Sequence, residues 1–282
     1  MSKFSKIYFL GIGGIGMSAI ARYYKFKGYG VAGYDRTPSE LTHELEKEGI
    51  EVHYQDDIDY IPKDTASTLV VYTPAIPNDL KELVYVREQG YTLIKRSRML
   101  GELAEGQTCL AVAGTHGKTT TSTLIAHILT DSGEGCSAFL GGISKNYGTN
   151  LLMSMARTMV AEADEYVRSF LQLHPSIAVI TAMDADHLDI YGTHEEYCKA
   201  FKQFASQVTR RIIVKQGLDI TPQDTKARIL HYSYDDPQAD FHARNPRPDE
   251  LGHYIFDLVH PGGTIEGIRS GVPGWVNVEN GV

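Results

Sequence analysis

The chain has 282 residues, of which 42% are hydrophobic and 22% are charged, and its formal net charge is -8 at pH 7. This length exceeds the usual size of one domain, so we expect two globular domains. The acidic balance argues against a nucleic-acid binder. No apolar run approaches the roughly 20 residues of a transmembrane helix, and the three cysteines lack metal-type spacing. We therefore expect a cytoplasmic protein with neither a nucleic-acid nor a membrane partner.

The first motif is a glycine-rich turn of the pattern G-x-G-x-x-G, which follows a short apolar strand beginning at Lys6. A predicted helix from Met17 to Phe26 comes next, and the following strand ends in an acid about 20 residues further on, as dinucleotide sites require. Taken alone, the motif indicates a bound dinucleotide such as NAD, although glycines can also serve close helix packing. The residues it nominates for substrate binding are Gly11, Gly13, Gly14, Ile15, Gly16 and Asp35.

Helices and strands then alternate in the rhythm of a parallel α/β sheet. The turn after the predicted strand 68–72 lies at a carboxyl end, where open α/β sheets bind ligands, although an ordinary proline turn has the same sequence. The basic cluster that begins at Lys95 is either an anion site or a solvated linker. From this region we nominate Thr73, Ala75 and Arg96 for substrate binding, and we place the first domain at residues 1–106.

The second motif is a phosphate-binding loop, where a small apolar strand turns into Gly-x-x-Gly-Lys-Thr before a predicted helix from Ser122 to Leu129. Converging backbone amides and the helix N-terminus favour a nucleoside triphosphate. Lys118 is expected to reach the β- and γ-phosphates, and the Thr119 hydroxyl to hold magnesium. Val112 and Ala113 stand where the common pattern has its first glycine. The residues nominated for binding the nucleotide are Gly114, Thr115, His116, Gly117, Lys118, Thr119 and Thr120.

Two further predicted strands end in acidic residues. The strand that begins at Thr158 is followed by Glu162-Ala163-Asp164-Glu165, and the strand 177–181 is followed by a segment that contains His187 between carboxylates. Clustered acids beside a triphosphate site indicate magnesium, which prefers hard oxygen ligands. A solvated acidic loop and a structural histidine remain the alternatives.

Beyond a predicted helix over 195–208, residues 239–268 are expected to form alternating strands with turns at Gly252 and 261–263. We predict no helix at the carboxyl end. The second domain, residues 107–282, is therefore expected to be incomplete.

Four motifs follow one another in this chain: the glycine loop 11–16, the phosphate loop 114–120, the acidic run 162–165 and the segment that contains His187. In this order they resemble the motifs of the Mur ligase family of peptidoglycan synthesis, and those of the alanine-adding members most closely. The resemblance implies an α/β protein with an N-terminal Rossmann-like UDP-binding domain and a P-loop α/β central domain, apparently truncated. It implies that the first glycine loop binds the UDP part of UDP-N-acetylmuramate, and that the second binds ATP. It further implies that ATP activates the lactyl carboxylate as an acyl phosphate, which L-alanine attacks, and that an absent C-terminal domain is required for activity.

The resemblance also implies roles for individual residues. Thr119 and Glu162 would hold one magnesium ion, and His187 would hold a second that bridges the γ-phosphate and the substrate carboxylate. The implied catalytic residues are Lys118, Glu162 and His187. Near the carboxyl end, Asn277 and Asn280 would contact the nucleotide.

The sequence departs from the family pattern at several positions. Val167 stands where an acid usually extends the acidic loop, and Val276 stands where a histidine usually precedes Asn277. Lys202 is a candidate for the carbamylated lysine of some members. Three alternative functions remain open: an NAD-linked oxidoreductase, a non-catalytic nucleotide-binding module, and a sibling ligase that attaches a recycled peptide to the same sugar nucleotide.

Overall fold

The computed structural model describes residues 3–282, and the chain divides into two compact units. The first unit comprises the residues up to Leu103 together with Phe139–Met153. The second comprises Ala104–Ala138 and Ser154–Val282. The domain boundary predicted after residue 106 lies three residues beyond Leu103, where the chain first passes from the first unit to the second. The sequence did not predict that segment 139–153 groups with the first unit.

The first unit contains a five-stranded parallel sheet in the order β3-β2-β1-β4-β5. The strand order reverses between β1 and β4, which is the position where open α/β sheets form a ligand crevice at their carboxyl edge. The strands are β1 (Lys6–Leu10), β2 (Gly30–Tyr34), β3 (Glu51–His53), β4 (Thr68–Tyr72) and β5 (Thr92–Lys95). The helices are α1 (Ile15–Phe26), α2 (Glu40–Lys47), α3 (Lys81–Glu88) and α4 (Arg96–Ala104), with a 3-10 helix at Ile58–Tyr60.

Hydrophobic periodicity explains why α1 packs as it does. Met17, Ile20, Ala21 and Tyr24 follow the i, i+3, i+4, i+7 spacing of one helix face, and all four are buried. Helix α2 begins at a capping box, in which Ser39 and Thr42 satisfy each other's backbone amides. Local sequence therefore determines both the buried face of the first helix and the start of the second.

The second unit is built on a sheet whose order is β15-β14-β13-β12-β11-β10-β6-β9. Strands β9, β6, β10, β11, β12 and β13 pair in parallel, whereas β14 is antiparallel to both of its neighbours, β13 and β15. The strands of this unit are β6 (Thr108–Ala113), β9 (Thr158–Ala163), β10 (Ile177–Ile180), β11 (Arg211–Lys215), β12 (Arg228–Ser233), β13 (Phe241–Pro248), β14 (Tyr254–His260) and β15 (Gly263–Arg269). Strand β8 (Thr149–Leu152) and all but the first two residues of β7 (Ser137–Ser144) belong to the segment that groups with the first unit. The helices are α5 (Lys118–Asp131), α6 (Leu188–Tyr191), α7 (His194–Ser206) and α8 (Val276–Gly281), with a 3-10 helix at Tyr166–Gln172.

The α/β class predicted from the sequence is confirmed, but three local predictions are corrected. The basic cluster after β5 begins helix α4, and α5 starts four residues earlier than predicted, at Lys118. The carboxyl end carries the short helix α8, where no helix was predicted. Val278 of α8 is fully buried against Ala243 and Phe256, so tertiary packing supports a helix that is too short to form alone.

Within residues 3–282, the structure contains no helix with the length and apolar character needed to cross a bilayer.

Candidate functional site

The first glycine loop lies at the carboxyl end of β1 and is held by an acid. Gly11 has a φ of 85°, a left-handed conformation that favours glycine. The Gly13 amide donates to Asp35 Oδ2 at 2.8 Å, and the Thr37 amide donates to Asp35 Oδ1 at 3.2 Å. Both oxygens of Asp35 therefore accept backbone amides, one from the glycine loop and one from the segment after β2.

The other residues nominated in the first unit lie around the same loop. A Cβ at Gly16 would overlap Arg96 Nη1, and a Cβ at Gly11 would lie 3.0 Å from Ile76 Cδ1 in the loop that follows β4. In that loop, the Ala75 amide donates to Thr73 Oγ1 at 3.3 Å. Helix α1 begins at Ile15, and its N-cap, Gly14, makes no side-chain cap. The structure thus brings all nine nominated substrate residues to one edge of the sheet, beside a helix N-terminus with uncapped amides.

The second glycine loop, residues 114–117, connects β6 to α5 and is fixed by a neighbouring strand end. Gly114 and Gly117 have positive φ angles of 139° and 81°. A Cβ at Gly114 would overlap the hydroxyl of Thr181, which lies at hydrogen-bonding distance from the carbonyls of Ala113 and His116. Only glycine meets both the conformational and the steric demand at position 114. The loop is therefore shaped before any anion arrives.

Lys118 is the first residue of α5, and its ammonium group is bound to the loop itself. Lys118 Nζ donates to the Gly114 carbonyl at 2.6 Å and to Glu165 Oε1 at 2.9 Å. The Glu165 side chain is only 2% exposed. In this structure the predicted phosphate-binding lysine is thus paired with a buried carboxylate.

Thr119 and Glu162 are adjacent, as a shared magnesium site requires. Thr119 Oγ1 donates to Glu162 Oε2 at 2.9 Å. The parallel pairing of β6 with β9 sets Val112 opposite Glu162, which places this carboxylate beside the start of the loop. A hydroxyl and a carboxylate are suitable oxygen ligands for magnesium.

His187 lies on the other side of the Lys118–Glu165 pair. It follows β10 with a φ of 51° and is the N-cap residue of α6. Its Nε2 atom lies 3.8 Å from Glu165 Oε1 and 3.7 Å from Asp186 Oδ2. The imidazole therefore faces two carboxylates, within reach of the same site as Lys118.

These donors fit the magnesium ions that the resemblance implies. In the part of the chain that the structure describes, no group of three His, Cys, Asp or Glu side chains forms a metal cage. Magnesium does not need one, because it is usually held by one or two carboxylates together with phosphate oxygens and water. The buried Oε2 atom of Glu165 has no hydrogen-bond partner among residues 3–282, as expected of an atom that awaits a ligand.

The two asparagines nominated for nucleotide binding lie on α8. Asn280 Oδ1 would be 2.7 Å from a Cβ at Gly117, so its side chain reaches the second glycine loop. Asn277 Nδ2 donates to the Pro273 carbonyl at 2.8 Å. Both residues line a cavity of about 460 Å³, which also contacts Thr120 and Thr121 of α5.

Sequence reasoning did not assign roles to three residues of this site. Glu165 belongs to the acidic run 162–165, and its membership of that run was the only feature of the sequence that indicated a role for it. Thr181, at the end of a predicted strand, had no recognisable motif. Tyr197 lies within a helix, and its hydroxyl is 3.0 Å from Thr115 Oγ1. Burial raises the pKa of Tyr197, so the phenol stays protonated and serves as a neutral hydrogen-bonding group.

Lys202 does not suit the role of a carbamylated lysine. Its Nζ lies 2.7 Å from Asp219 Oδ2 and 3.7 Å from Asp224 Oδ2. These carboxylates, Asp219 above all, raise the pKa of Lys202. Carbamylation needs a neutral amine and creates an anion, and both are disfavoured beside two carboxylates.

Comparison with known families identifies the class to which this fold and site belong. Residues 6–108 match the family model described as the Mur ligase family, catalytic domain, and residues 112–282 match the Mur ligase middle domain. The chain belongs to the Mur ligase family.

Within the family, the chain is similar to UDP-N-acetylmuramate–L-alanine ligases. It is 51% identical to that of Phocaeicola vulgatus over 288 aligned positions, which cover 100% of this chain and 62% of the relative. A solved UDP-N-acetylmuramate–alanine ligase of Thermotoga maritima matches with a TM-score of 0.85 and 28% identity, over 98% of this chain and 62% of that one. A UDP-N-acetylmuramate:L-alanyl-γ-D-glutamyl-meso-diaminopimelate ligase from Neisseria meningitides shares the fold, with a TM-score of 0.86 at 23% identity over 98% of this chain and 90% of that one. The chain thus spans about 62% of the length of the Phocaeicola relative.

Proposed function

We propose that this chain forms the UDP-sugar-binding and ATP-binding parts of a cytoplasmic ligase that joins L-alanine to the lactyl carboxylate of UDP-N-acetylmuramate. The observation that carries the proposal is the arrangement of Lys118, Thr119, Glu162 and His187 around one phosphate loop. The 51% identity to an alanine ligase supports L-alanine, and not a peptide, as the amine substrate.

The site residues then have distinct tasks in an ATP-dependent amide synthesis. The amides at the start of α1 and Arg96 bind the diphosphate of the sugar nucleotide, and the amides of loop 114–117 bind the triphosphate. Lys118 neutralises charge as the γ-phosphate passes to the carboxylate. Thr119 and Glu162 would hold one magnesium ion, and His187 a second; magnesium supplies charge neutralisation on the phosphates.

The resulting acyl phosphate is then attacked by the amine of L-alanine, and phosphate leaves as the amide forms. Positioning and charge neutralisation carry most of such a reaction, so this chain needs no nucleophilic side chain. The buried thiols are consistent with that view, because burial raises the pKa of Cys109 to about 12 and keeps it protonated.

The decisive experiment is phosphate release by the full-length protein, supplied with UDP-N-acetylmuramate, MgATP and either L-alanine or a tripeptide. We expect release that depends on L-alanine and that Lys118→Ala abolishes. Release that depends only on the tripeptide would assign the protein to the peptide-attaching ligases. Tight NAD binding that UDP-N-acetylmuramate does not displace would instead reject the sugar-nucleotide assignment of the first loop.

A further inference from the structure

Glu165 is a buried carboxylate with no role in the proposed reaction. Its Oε1 atom accepts the hydrogen bond from Lys118 and lies 3.8 Å from His187 Nε2. Its Oε2 atom is buried and has no hydrogen-bond partner among residues 3–282. Lys118 is therefore the close cationic partner of a carboxylate that is almost fully removed from water.

A bound triphosphate would disturb this pair. The lysine of a phosphate loop contacts the β- and γ-phosphates, so the Lys118 ammonium group must turn away from Glu165 when nucleotide binds. A buried carboxylate without a cation is strongly unfavourable. Glu165 must then either take up a proton or acquire another cation.

The surroundings of Glu165 favour a metal cation over a proton. His187 Nε2 lies near the same carboxylate, and a carboxylate with an imidazole forms a pair of metal ligands. Tyr191 donates its hydroxyl to the Glu165 carbonyl at 2.5 Å, which fixes the backbone while both carboxylate oxygens remain available. Magnesium arrives with the triphosphate and accepts a small number of protein ligands.

We infer that Glu165 exchanges its counter-ion during nucleotide binding. In the nucleotide-free protein it holds Lys118 against the loop. When Lys118 turns to the phosphates, Glu165 joins His187 as a ligand of the magnesium ion that accompanies them. The inference deepens the proposed function and rests on it, because it requires that Lys118 binds ATP.

This exchange predicts opposite effects of one substitution under two conditions. Glu165→Gln keeps the size of the side chain but removes its charge. Without magnesium, the variant should bind a triphosphate at least as tightly as the wild type, because Lys118 is no longer held by an anion. Magnesium should increase the affinity of the wild type for the triphosphate, and this increase should be about 10- to 100-fold smaller in the variant.

The experiment is a calorimetric titration of the full-length protein with a non-hydrolysable ATP analogue, in excess magnesium and in excess chelator. Glu165→Asp retains the charge and should recover part of the magnesium enhancement. Glu250→Gln makes the same chemical change at an exposed position and should match the wild type in both conditions. Paramagnetic Mn²⁺ provides a second readout, because Glu165→Gln should bind one ion fewer per bound nucleotide.

The outcomes separate this inference from the proposed function. If Glu165→Gln keeps the wild-type magnesium enhancement and the same Mn²⁺ count, the exchange is refuted and the ligase proposal stands. A parallel loss of affinity with and without metal would show that Glu165 is only structural, which also refutes the exchange. If wild type and Lys118→Ala bind the analogue equally, the nucleotide site itself is misassigned and the proposed function fails.

Discussion

At the scale of single residues, the acidic loop contains an unfavourable backbone conformation. Val167 and Arg168 have φ angles of 46° and 60°, in the left-handed region. A β-branched residue in this region is an outlier, because its side chain crowds the backbone. Val167 is also the position where the family pattern has an acid, whose short polar side chain tolerates the same conformation better.

Val167→Asn should therefore stabilise the protein, by about 1 kcal/mol in the free energy of unfolding. Urea denaturation of both proteins tests this. Val272→Asn is the matched control, because Val272 is 46% exposed and is absent from the positive-φ residues. If Val272→Asn raises the free energy of unfolding as much as Val167→Asn does, the stabilisation comes from the polar side chain and not from relief of backbone strain.

Gly117 combines a left-handed backbone with a close neighbour, Asn280. Gly117→Ala should lower the free energy of unfolding by about 1 to 2 kcal/mol through its φ of 81° alone. It should also displace Asn280 and weaken binding of the ATP analogue in calorimetry, because the new Cβ would lie 2.7 Å from Asn280 Oδ1.

Gly133 provides the control for that substitution. Its φ is 82°, but no atom lies within 4 Å of the place that a Cβ would occupy. Gly133→Ala should thus show the same loss of stability with unchanged nucleotide affinity. Equal nucleotide affinity in the two variants would contradict the role given to the Gly117–Asn280 contact.

The residues of the candidate site were predictable from the sequence to different degrees. Lys118 and Thr119 belong to a motif whose spacing is dictated by phosphate geometry, so local sequence was sufficient to nominate them. Glu165 could not be separated from the acids beside it, because its distinction is burial against Lys118, a contact between residues 47 positions apart. Their assigned chemical roles remain predictions.

At the scale of elements, a buried amide joins segment 139–153 to helix α1. Asn150 is fully buried, and its Nδ2 donates to the Ile15 carbonyl at 2.6 Å and to Ser18 Oγ at 2.9 Å. Its Oδ1 accepts from Arg22 Nη1, and the same guanidinium pairs with Glu44 and Glu48. One side chain therefore satisfies three polar groups on the helix that begins at the first glycine loop.

Asn150→Ala should lower the free energy of unfolding by about 1 to 3 kcal/mol, because it leaves buried polar groups without partners. Affinity for UDP-N-acetylmuramate should also fall, since the first turn of α1 loses its support. Chemical denaturation and calorimetry measure the two effects. Asn146→Ala, at an exposed position of the same segment, should change stability by no more than about 0.5 kcal/mol. Similar behaviour of both variants would count against the anchoring role.

Elements with strong periodicity were predicted closely, and elements supported by tertiary contacts were not. The buried strand β4 appears at its predicted bounds, 68–72. The short strand β3 and helix α8 were missed, because three to six residues carry too little periodic signal. Their stability comes from pairing with β2 and from packing of Val278, which only the assembled units provide.

At the scale of the whole molecule, carboxylates with lowered pKa values make stability depend on pH. Burial alone would raise the pKa of Asp224, but hydrogen bonds from the Thr221 amide and hydroxyl, together with Lys202, lower it. The pKa of Asp249 is likewise lowered, chiefly by Arg269. A carboxylate whose pKa is lower in the folded state stabilises the protein above its unfolded pKa of about 3.9, and this stabilisation is lost as the pH falls through the folded value.

Asp224→Asn should accordingly destabilise the chain by about 1 to 2 kcal/mol at pH 7, and the difference from the wild type should shrink as the pH falls below about 4. Denaturation across this pH range measures both quantities. Asp79→Asn, at an exposed position, should leave the whole pH profile unchanged. A difference for Asp224→Asn that persists undiminished under acid would exclude ionisation of this carboxylate as its cause.

The discontinuous first unit has a consequence for the order in which the molecule folds on the ribosome. Nascent chains generally fold from the N-terminus as domains emerge. Here the first unit cannot be completed when its sheet has been synthesised, because Asn150 emerges only after β6 and α5 have been translated. Until then the buried guanidinium of Arg22 lacks its amide acceptor. Translation therefore produces the second glycine loop and helix α5 before the helix of the first glycine loop is finally secured.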